Sequence, residues 1–404
     1  GGDAGLYLAI ANDFFSINSK DSPPFFPFMI FIGQQIPFLS WQEFIILLNW
    51  IIHLMMGLIL WNLFSYLNIR KIVRWLTILT ILLSPRILYY KYDLSPEMLF
   101  SFLILILFYF IGKKYLIHTE NKTGLINAII LGILSSLCAL TKPIWLLGGI
   151  LISVFLGLYF KNKPKYAIKI FITVLIASTI LLLNWQLFLY VKFDQKNIST
   201  VQTRNLNLLS IRSGYFNDAQ HTDLHRLILK NESLYSLTQN MKWENFDKFT
   251  KIKDSLNHYG DEELRNDNQF YQKAILNNFF SYLSTQSSRI PAFINAKYLN
   301  LLNWDNWPDS FEKLYLRYYK FIFLYVIPAF FLFGFIYTIW NKDPFSLLGL
   351  IFILYYTIVC VFLSYQDTAF NRLRVGIDPV LMSFFVICFR RLKWIKISND
   401  NLNN

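Results

Sequence analysis

Charged residues are scarce in this chain of 404 residues, where Asp, Glu, Lys and Arg together make up 16%. Hydrophobic residues reach 55% and the mean hydropathy is +0.38, a balance that excludes an ordinary soluble domain. Cysteine is rare as well, and Cys138, Cys360 and Cys388 all lie within apolar stretches. They suggest neither a disulfide framework nor a cysteine metal site, and they indicate small core residues instead.

Acidic residues are fewer than basic ones, 25 against 38, which leaves a formal net charge of +13. The basic residues are divided among short segments between apolar runs and do not form one stripe with interleaved aromatic residues. This pattern argues against a nucleic-acid partner. The sequence shows neither a repeat with a period of about 20 to 50 residues nor an inverted repeat of broken helices, which counts against a secondary transporter.

Apolar runs near ~20 residues recur along the chain and predict an all-α polytopic membrane protein. Nine runs are candidate spans, at 44–67, 72–90, 94–110, 125–140, 144–160, 166–190, 318–340, 345–363 and 377–389. Residues 25–38 are apolar too, but this stretch is short and bounded by proline. It therefore predicts an interfacial or re-entrant helix.

Lysine and arginine fall in every second loop, which predicts that these loops are cytoplasmic. The loops carry Arg70, Lys71 and Arg74; Lys113, Lys114 and Lys122; Lys161, Lys163, Lys165 and Lys169; Lys342; and Arg390, Arg391, Lys393 and Lys396. The N-terminal loop and residues 84–93, 141–143, the segment after 191 and 364–376 are then on the outer face. The first residue is Gly and stands on that face, so we expect one further helix upstream.

This order divides the chain into three parts. Residues 1–192 are an N-terminal transmembrane part with the first outer loop and the interfacial helix, and residues 312–404 are a C-terminal transmembrane part with a basic cytoplasmic tail. Residues 193–311 contain the only long polar region, in which Leu and Phe recur at helical spacing. They predict a helical extracytoplasmic domain packed over the membrane mouth.

Five cations on the predicted outer face break the topological trend, and all lie near the end of a span: Arg86, Lys91, Lys142, Arg372 and Arg374. A lipid phosphate would lie at that depth, and arginine offers the fork geometry that suits phosphate oxygens. The alternative is that these side chains snorkel to anionic headgroups, which we favour for Arg86 and Lys91. Lys142 is harder to explain in this way, because Thr-Lys-Pro forms almost the whole turn.

Carboxylates share this face: Asp3, Asp13, Asp21, Asp93, Glu97, Asp367 and Asp378. Asp3 stands in a stretch of apolar and small residues, and by itself it is more simply a helix N-cap than a catalytic group. Glu97 follows Ser95-Pro96, so it either opens a helix in the ordinary way or acts in chemistry. A base near phosphate-binding cations could deprotonate an acceptor and stabilise a phosphate leaving group.

The histidines give a weaker signal. His221 and His225 have the i, i+4 spacing that a metal site could use, but the sequence offers no third ligand, and we interpret them as a solvated helix face. His53 lies within an apolar run and is predicted to be a hydrogen-bonded packing residue.

Four segments together resemble the GT-C fold glycosyltransferases of the protein O-mannosyltransferase and aminoarabinose transferase type. Residues 2–11 with the Ser-Pro-Pro-Phe-Phe-Pro of 22–27 resemble the first outer loop of that family, where an Asp, a Tyr four residues on and a Pro-Pro-aromatic segment recur. Residues 84–97 resemble its second outer loop, and Leu-Thr-Lys-Pro at 140–143 resembles the basic turn. Residues 371–381 are similar to an Arg-x-Arg-x-x-x-x-Pro element before the last span, with Gly376 where other members often have Pro.

The resemblance implies a GT-C-like bundle and an inverting transfer of a sugar from a polyprenyl-phosphate donor. The acceptor would be a lipid, a glycan or a protein at the periplasmic or exterior face of a bacterial inner membrane. The residues carried over are Asp3 as base or acceptor-orienting carboxylate, Glu97 with Asp93 as second acid, Lys142, Arg372 and Arg374 for the donor phosphate, and Tyr7 and Pro24 for positioning the acceptor or the donor. No metal ligand is implied, and a divalent cation stays open as a cofactor. The alternatives are a lipid-linked glycan flippase or transporter, and a glycan polymerase or ligase.

Overall fold

The computed structural model describes residues 4–15, 22–117, 124–194, 279–295, 315, 317–319, 321–363 and 373–390. These residues are helical with short connections, and no β-strand occurs among them. The first nine helices are α1 Ala4–Asn12, α2 Phe25–Gln34, α3 Trp41–Tyr66, α4 Lys71–Leu82, α5 Pro85–Tyr92, α6 Glu97–Ile111, α7 Gly124–Thr141, α8 Gly148–Tyr159 and α9 Pro164–Phe193. The others are α10 Phe279–Ser287, α11 Ile290–Asn295, α12 Ile327–Asn341, α13 Pro344–Leu363 and α14 Asp378–Cys388.

The chain is a multi-pass membrane protein by the length and composition of its helices. Among the described residues, five helical segments are long and apolar enough to cross a membrane: Trp41–Tyr66, Glu97–Leu116, Gly124–Thr141, Pro164–Phe193 and Pro344–Phe362. A sixth arises if the bent pair α4 and α5 is one span. The predicted spans at 144–160, 318–340 and 377–389 correspond to shorter apolar helices, so the prediction of nine spans is not confirmed.

The predicted span at 72–90 is not one straight helix. Its two halves, α4 and α5, are bent by 49°. The break lies at Ser84, whose backbone is extended (φ −59°, ψ 132°), and Pro85 follows it. A proline disfavours helical backbone in the residue before it, and this accounts for the bend. The bend turns α5 so that its cations face neighbouring helices.

The segment before α3 contains the short helix that the sequence predicts. Helix α2 has 10 residues, too few to cross a bilayer, and Phe26 packs edge to face on Tyr7 of α1 with ring centroids 5.1 Å apart. Helix α3 then begins with a capping box, in which the Ser40 side chain accepts from Glu43 N while the Glu43 carboxylate accepts from Ser40 N.

Helices α7 and α9 pack through small residues, which let the two backbones approach closely. A Cβ added at Gly132 would lie 2.5 Å from the Cβ of Ala177 and 2.9 Å from the backbone nitrogen of Ser178. The hydroxyl of Ser136 donates to the carbonyl of Ser178 at 2.7 Å. Helices α7 and α9 form one side of the helix bundle.

Helices α12, α13 and α14 form another side of the bundle. The short helices α10 and α11 lie at the C-terminal end of α13. The Tyr282 hydroxyl on α10 donates to the Phe362 carbonyl, and the Arg289 guanidinium donates to the Val361 carbonyl at 3.0 Å. Of the predicted domain at 193–311, only residues 193–194 and 279–295 are described, and the rest lies outside the described residues. Cys138, Cys360 and Cys388 are buried free thiols, which confirms the prediction of core residues.

Candidate functional site

Five buried charged side chains meet where helix ends converge. We call these five residues the buried charge cluster: Arg86 of α5, Glu97 of α6, Lys142 after α7, Arg374 just before α14, and Asp378 of α14. On the sequence-based topology, all five belong to the outer ends of their helices. The cluster contains three cations and two carboxylates, and therefore has a formal surplus of one positive charge.

Lys142 and Glu97 form the first ion pair of the cluster, with Lys142 Nζ 2.9 Å from Glu97 Oε1. Pro143 disfavours helical backbone at Lys142, which is extended (φ −145°, ψ 124°), and α7 ends one residue earlier. The following turn is anchored by Trp145, whose Nε1 donates to Ser135 Oγ at 3.1 Å and whose ring packs on Phe352. The turn thus directs the ammonium group at the first residue of α6.

Asp378 holds two arginines at once. Arg374 Nε lies 2.9 Å from Asp378 Oδ1, and Arg86 Nη1 lies 3.2 Å from Asp378 Oδ2. Arg374 also donates to the Phe293 carbonyl of α11 at 3.0 Å. Burial lowers the pKa of the Arg374 guanidinium, while Asp378 acts in the opposite direction, and the group stays a cation at neutral pH. The triad connects two segments that are far apart in sequence, and the Phe293 contact adds a third.

An aromatic pair lies between the ion pair and the triad. Phe100 and Tyr356 stack with ring centroids 5.9 Å apart, and the Tyr356 hydroxyl donates to the Leu373 carbonyl at 2.5 Å. Lys142 Nζ lies 5.8 Å from the centroid of the Phe100 ring. At Gly376 an added Cβ would lie 2.5 Å from the Tyr356 hydroxyl and 2.6 Å from the Phe100 ring. A glycine is therefore required by close packing where the resemblance leads one to expect proline.

The exposure of the side chains decides which member of the cluster a ligand would reach. The side chains of Arg86, Glu97, Arg374 and Asp378 are fully buried, whereas that of Lys142 is 11% exposed. An anion at the edge of the cluster would therefore contact the Lys142 ammonium first. Arg86 and Arg374 would attract the same anion without contacting it, through the surplus positive charge of the cluster. This attraction is effective because buried charges are weakly screened.

The other predicted site residues are distributed around this cluster. Asp93 ends α5 and is partly exposed, with its backbone carbonyl accepting from Asn49 Nδ2 at 3.3 Å. Tyr7 is buried against Phe26, and Pro24, which directly precedes α2, is buried as well. Asp3 and Arg372 lie outside the described residues, so their predicted roles remain predictions. The same holds for the assigned roles of Glu97, Lys142 and Arg374.

The snorkelling interpretation of Arg86 is wrong, because this residue is fully buried, at 0% exposure. Lys91 is buried as well, at 4% exposure, and its ammonium lies over an aromatic ring. Arg86 pairs with Asp378, a carboxylate that sequence reasoning placed on this face but did not connect to a partner. The i, i+4 spacing of Arg374 and Asp378 was the signal that could have suggested the pair. Its link to Arg86 joins residues 292 apart and has no local signal.

Lys91 lies over the ring of Trp50, with Nζ 3.4 Å from the ring centroid. A desolvated cation–π contact stabilises by about 2 kcal/mol, whereas desolvating an ammonium costs several kcal/mol. The aromatic contact alone therefore does not offset the burial of Lys91. His53 is buried nearby, and its Nδ1 has no hydrogen-bond partner within the described ranges, so the prediction of a hydrogen-bonded histidine is wrong for this atom.

Metal ligands do not cluster in the described part of the chain, where no group of three or more His, Cys, Asp or Glu side chains is placed to hold an ion. His221 and His225 lie outside it. The carboxylates of the buried charge cluster are instead paired with cationic side chains. A carboxylate in such an ion pair is a poor ligand for a metal cation. The chemistry that this arrangement offers is the electrostatic stabilisation of an anion.

Comparison with known proteins gives no relative: no family model matches the chain, and neither a curated protein nor a solved structure is significantly similar to it.

Proposed function

We propose that this chain is an inverting membrane glycosyltransferase of the GT-C type. It would move a sugar from a polyprenyl-phosphate donor to a lipid, glycan or protein acceptor at the outer face of a bacterial inner membrane. The observation that carries the proposal is the buried charge cluster, with its surplus positive charge and its one partly exposed cation, Lys142. A site of this kind suits a reaction that releases a phosphate anion.

In the proposed reaction, the acceptor hydroxyl attacks the anomeric carbon of the sugar. The bond from that carbon to the phosphate oxygen breaks, and its electron pair leaves with the polyprenyl phosphate. The acceptor proton goes to a carboxylate, for which the resemblance favours Asp3. Lys142 stabilises the departing phosphate, Glu97 orients Lys142 through their 2.9 Å contact, and Arg374 and Arg372 add positive charge.

The direct test is sugar transfer in membranes that contain the full chain and a radiolabelled polyprenyl-phosphate sugar. Lys142→Gln removes the charge that would meet the phosphate, and a charge-assisted contact of about 1.5–3 kcal/mol predicts a loss of roughly 10- to 100-fold in transfer at limiting donor. Lys192→Gln is the matched control, since Lys192 contacts the Phe15 carbonyl, outside the cluster. Equal transfer by wild type and Lys142→Gln would remove Lys142 from donor binding.

A second variant tests the base. Asn caps a helix about as well as Asp but cannot take a proton, so Asp3→Asn separates the two interpretations of Asp3. If Asp3 is the base, Asp3→Asn should lower sugar transfer by ~10²-fold or more while thermal stability stays unchanged. Near-normal transfer by Asp3→Asn would return the residue to the helix-cap interpretation.

A lipid-linked glycan flippase is the second candidate, and one observation favours it. Helices α4 and α5 form a broken segment, and α5 carries Arg86 into the bundle. Discontinuous helices with functional charges are common in transporters. Movement of a labelled polyprenyl-phosphate sugar across vesicles without transfer to any acceptor would favour this candidate over the transferase.

A further inference from the structure

The environment of Lys91 differs from that of the cations in the buried charge cluster. Its ammonium lies 3.4 Å from the ring centroid of Trp50 and 5.1 Å from that of Tyr92. Asn49 Nδ2 donates to the Lys91 carbonyl at 3.2 Å and holds this end of α5 against α3. The position of the lysine is therefore determined by three contacts, and none of them supplies a negative charge.

Lys91 has no counter-charge within the part of the chain that the structure describes. The ion pairs found there join Arg86 and Arg374 to Asp378, Lys142 to Glu97, and Arg390 to Asp343, and Lys91 makes none. A buried ammonium without a carboxylate is costly, and such charges are normally paired. An anion from outside the chain would provide the missing partner.

His53 adds a second unsatisfied group at the same place. The residue is 7% exposed, and its Nδ1 has no hydrogen-bond partner among the described residues. Its ring packs against Trp50 with centroids 6.4 Å apart, and the Lys91 ammonium lies over that same Trp50 ring. In the tautomer that carries the proton on Nδ1, the ring offers an N–H donor, and both His53 and Lys91 contact the Trp50 ring. A cation and a donor that converge on one place suit a phosphate oxygen.

The surface beside this place is apolar. Trp50 and Tyr92 are 40% and 59% exposed. Trp50 lies within an exposed apolar stripe of α3, whose residues recur at helical spacing: Leu47, Ile51, Leu54 and Leu58. If the phosphate of a lipid binds to Lys91, the acyl chains of that lipid can lie along this stripe. Free phosphate has no such chains, so the apolar surface favours a membrane lipid.

The place is separate from the buried charge cluster. Arg86 and Lys91 are five residues apart on α5, which puts their side chains about 140° apart around the helix. Arg86 points to Asp378 of α14, and Lys91 points to Trp50 of α3. A ligand at Lys91 therefore does not need the proposed transferase site.

We propose that Lys91 and His53 bind the phosphate of an anionic membrane lipid, whose acyl chains lie along the exposed stripe of α3. The bound lipid supplies the negative charge that Lys91 lacks, and it holds the bent segment of α5 against α3. The site binds lipid whether or not the chain transfers sugar.

The test measures lipid binding by the purified full chain in detergent. Native mass spectrometry with added phosphatidylglycerol counts retained lipids, and thermal unfolding reports the stabilisation that binding provides. We expect Lys91→Gln to lower the affinity of one retained phosphatidylglycerol by about 10-fold and to abolish the associated rise in Tm. Lys113→Gln is the matched control, because Lys113 also lies over two rings, Tyr66 and Tyr109. It should leave both measurements unchanged.

Two further variants keep the result interpretable. Lys91→Arg retains the charge and should retain the lipid, whereas His53→Phe retains the ring and should weaken retention several-fold. Unfolding without added lipid shows whether each variant is folded. Equal lipid affinity and an equal rise in Tm for wild type and Lys91→Gln would overturn the proposal. Equal stabilisation by inorganic phosphate would overturn it too, since the site would then not be specific for a lipid.

Discussion

At the scale of single residues, the buried charge cluster holds its charges in one ion pair and one triad. Glu97 and Asp378 are fully buried, and each contacts at least one cation at 3.2 Å or less. Removing one partner of such a pair leaves an uncompensated charge and destabilises by about 3–5 kcal/mol, whereas replacing both partners can be nearly neutral. The pairs are therefore most informative when they are changed together.

The first prediction concerns the pair of Lys142 and Glu97. Lys142→Gln alone should lower the free energy of unfolding by roughly 3 kcal/mol, because the carboxylate of Glu97 then stays buried without its ion-pair partner. The double variant Lys142→Gln with Glu97→Gln should recover most of that loss. A double-mutant cycle measured by unfolding in detergent gives the coupling energy. Strictly additive effects would show that the two side chains do not interact.

The second prediction concerns Asp343, which precedes α13. It accepts from Arg390 Nη2 at 2.5 Å and from Ser346 N at 2.8 Å. Burial acts to raise the pKa of Asp343, but the hydrogen bonds and charge of Arg390 outweigh it, so the folded-state pKa lies below its ordinary value. Its contribution to stability is therefore fully present above the unfolded pKa of about 3.9 and is lost as the pH falls through the lower folded pKa.

Asp343→Asn removes this titration, and the measurement is Tm as a function of pH. Wild type should lose stability relative to Asp343→Asn as the pH falls below ~4, while the difference between the two should be constant between pH 6 and 8. Asp194→Asn, at an exposed position after α9, is the control. Parallel Tm curves for wild type and Asp343→Asn down to the acid limit would contradict the prediction.

At the scale of elements, the contact between α7 and α9 depends on the absence of a side chain. A Cβ at Gly132 would meet backbone atoms of α9, the Ser178 nitrogen and the Val174 carbonyl oxygen, both at 2.9 Å. Backbone atoms cannot rotate away as a side-chain end can. The two helices would have to separate, and the hydrogen bond from Ser136 to Ser178 would lengthen.

The third prediction follows from this contact. Gly132→Ala should destabilise by about 1–3 kcal/mol, since it overpacks a close helix pair. Gly157→Ala is the matched control in α8, where the added Cβ would lie at an ordinary 3.6 Å from Phe171. That change should be neutral or stabilise by up to about 1 kcal/mol, because alanine favours helix over glycine. Equal Tm values for the two variants would show that α7 and α9 are not closely packed.

At the scale of the whole molecule, the alternation of basic loops predicts one orientation for all spans. The fourth prediction is that residue 240 lies outside the cytoplasm and residue 162 inside it. Cysteine placed at Asn240 should react with a membrane-impermeant maleimide in intact cells, and cysteine at Asn162 only after permeabilisation. Background labelling should be low because the three native thiols are buried. Reversed labelling would reverse the orientation and the proposed side of the site.

Residue patterns were sufficient for the class of the protein and for the extents of most helices. Long apolar runs cannot be stable in water, and their length alone makes them candidate spans, so α3, α6, α7, α9 and α13 are predictable from hydropathy. Hydropathy was insufficient where a run is bent or short. Ser84-Pro85 splits one predicted span by 49°, and α14 has 11 residues, because apolar composition reports burial and not whether the buried segment crosses the bilayer.

The sequence by itself thus determined that the chain is helical, membrane-embedded and equipped with unusual cations near span ends, since composition and loop charge are local properties. Only the tertiary structure decided which charges meet. Arg86 pairs with Asp378 across 292 residues, and Lys142 pairs with Glu97 across 45. Lys91 lies over Trp50, with no carboxylate partner among the described residues. Ion pairing falls off over a few ångströms, and those distances depend on how helices pack, which no residue pattern along one chain encodes.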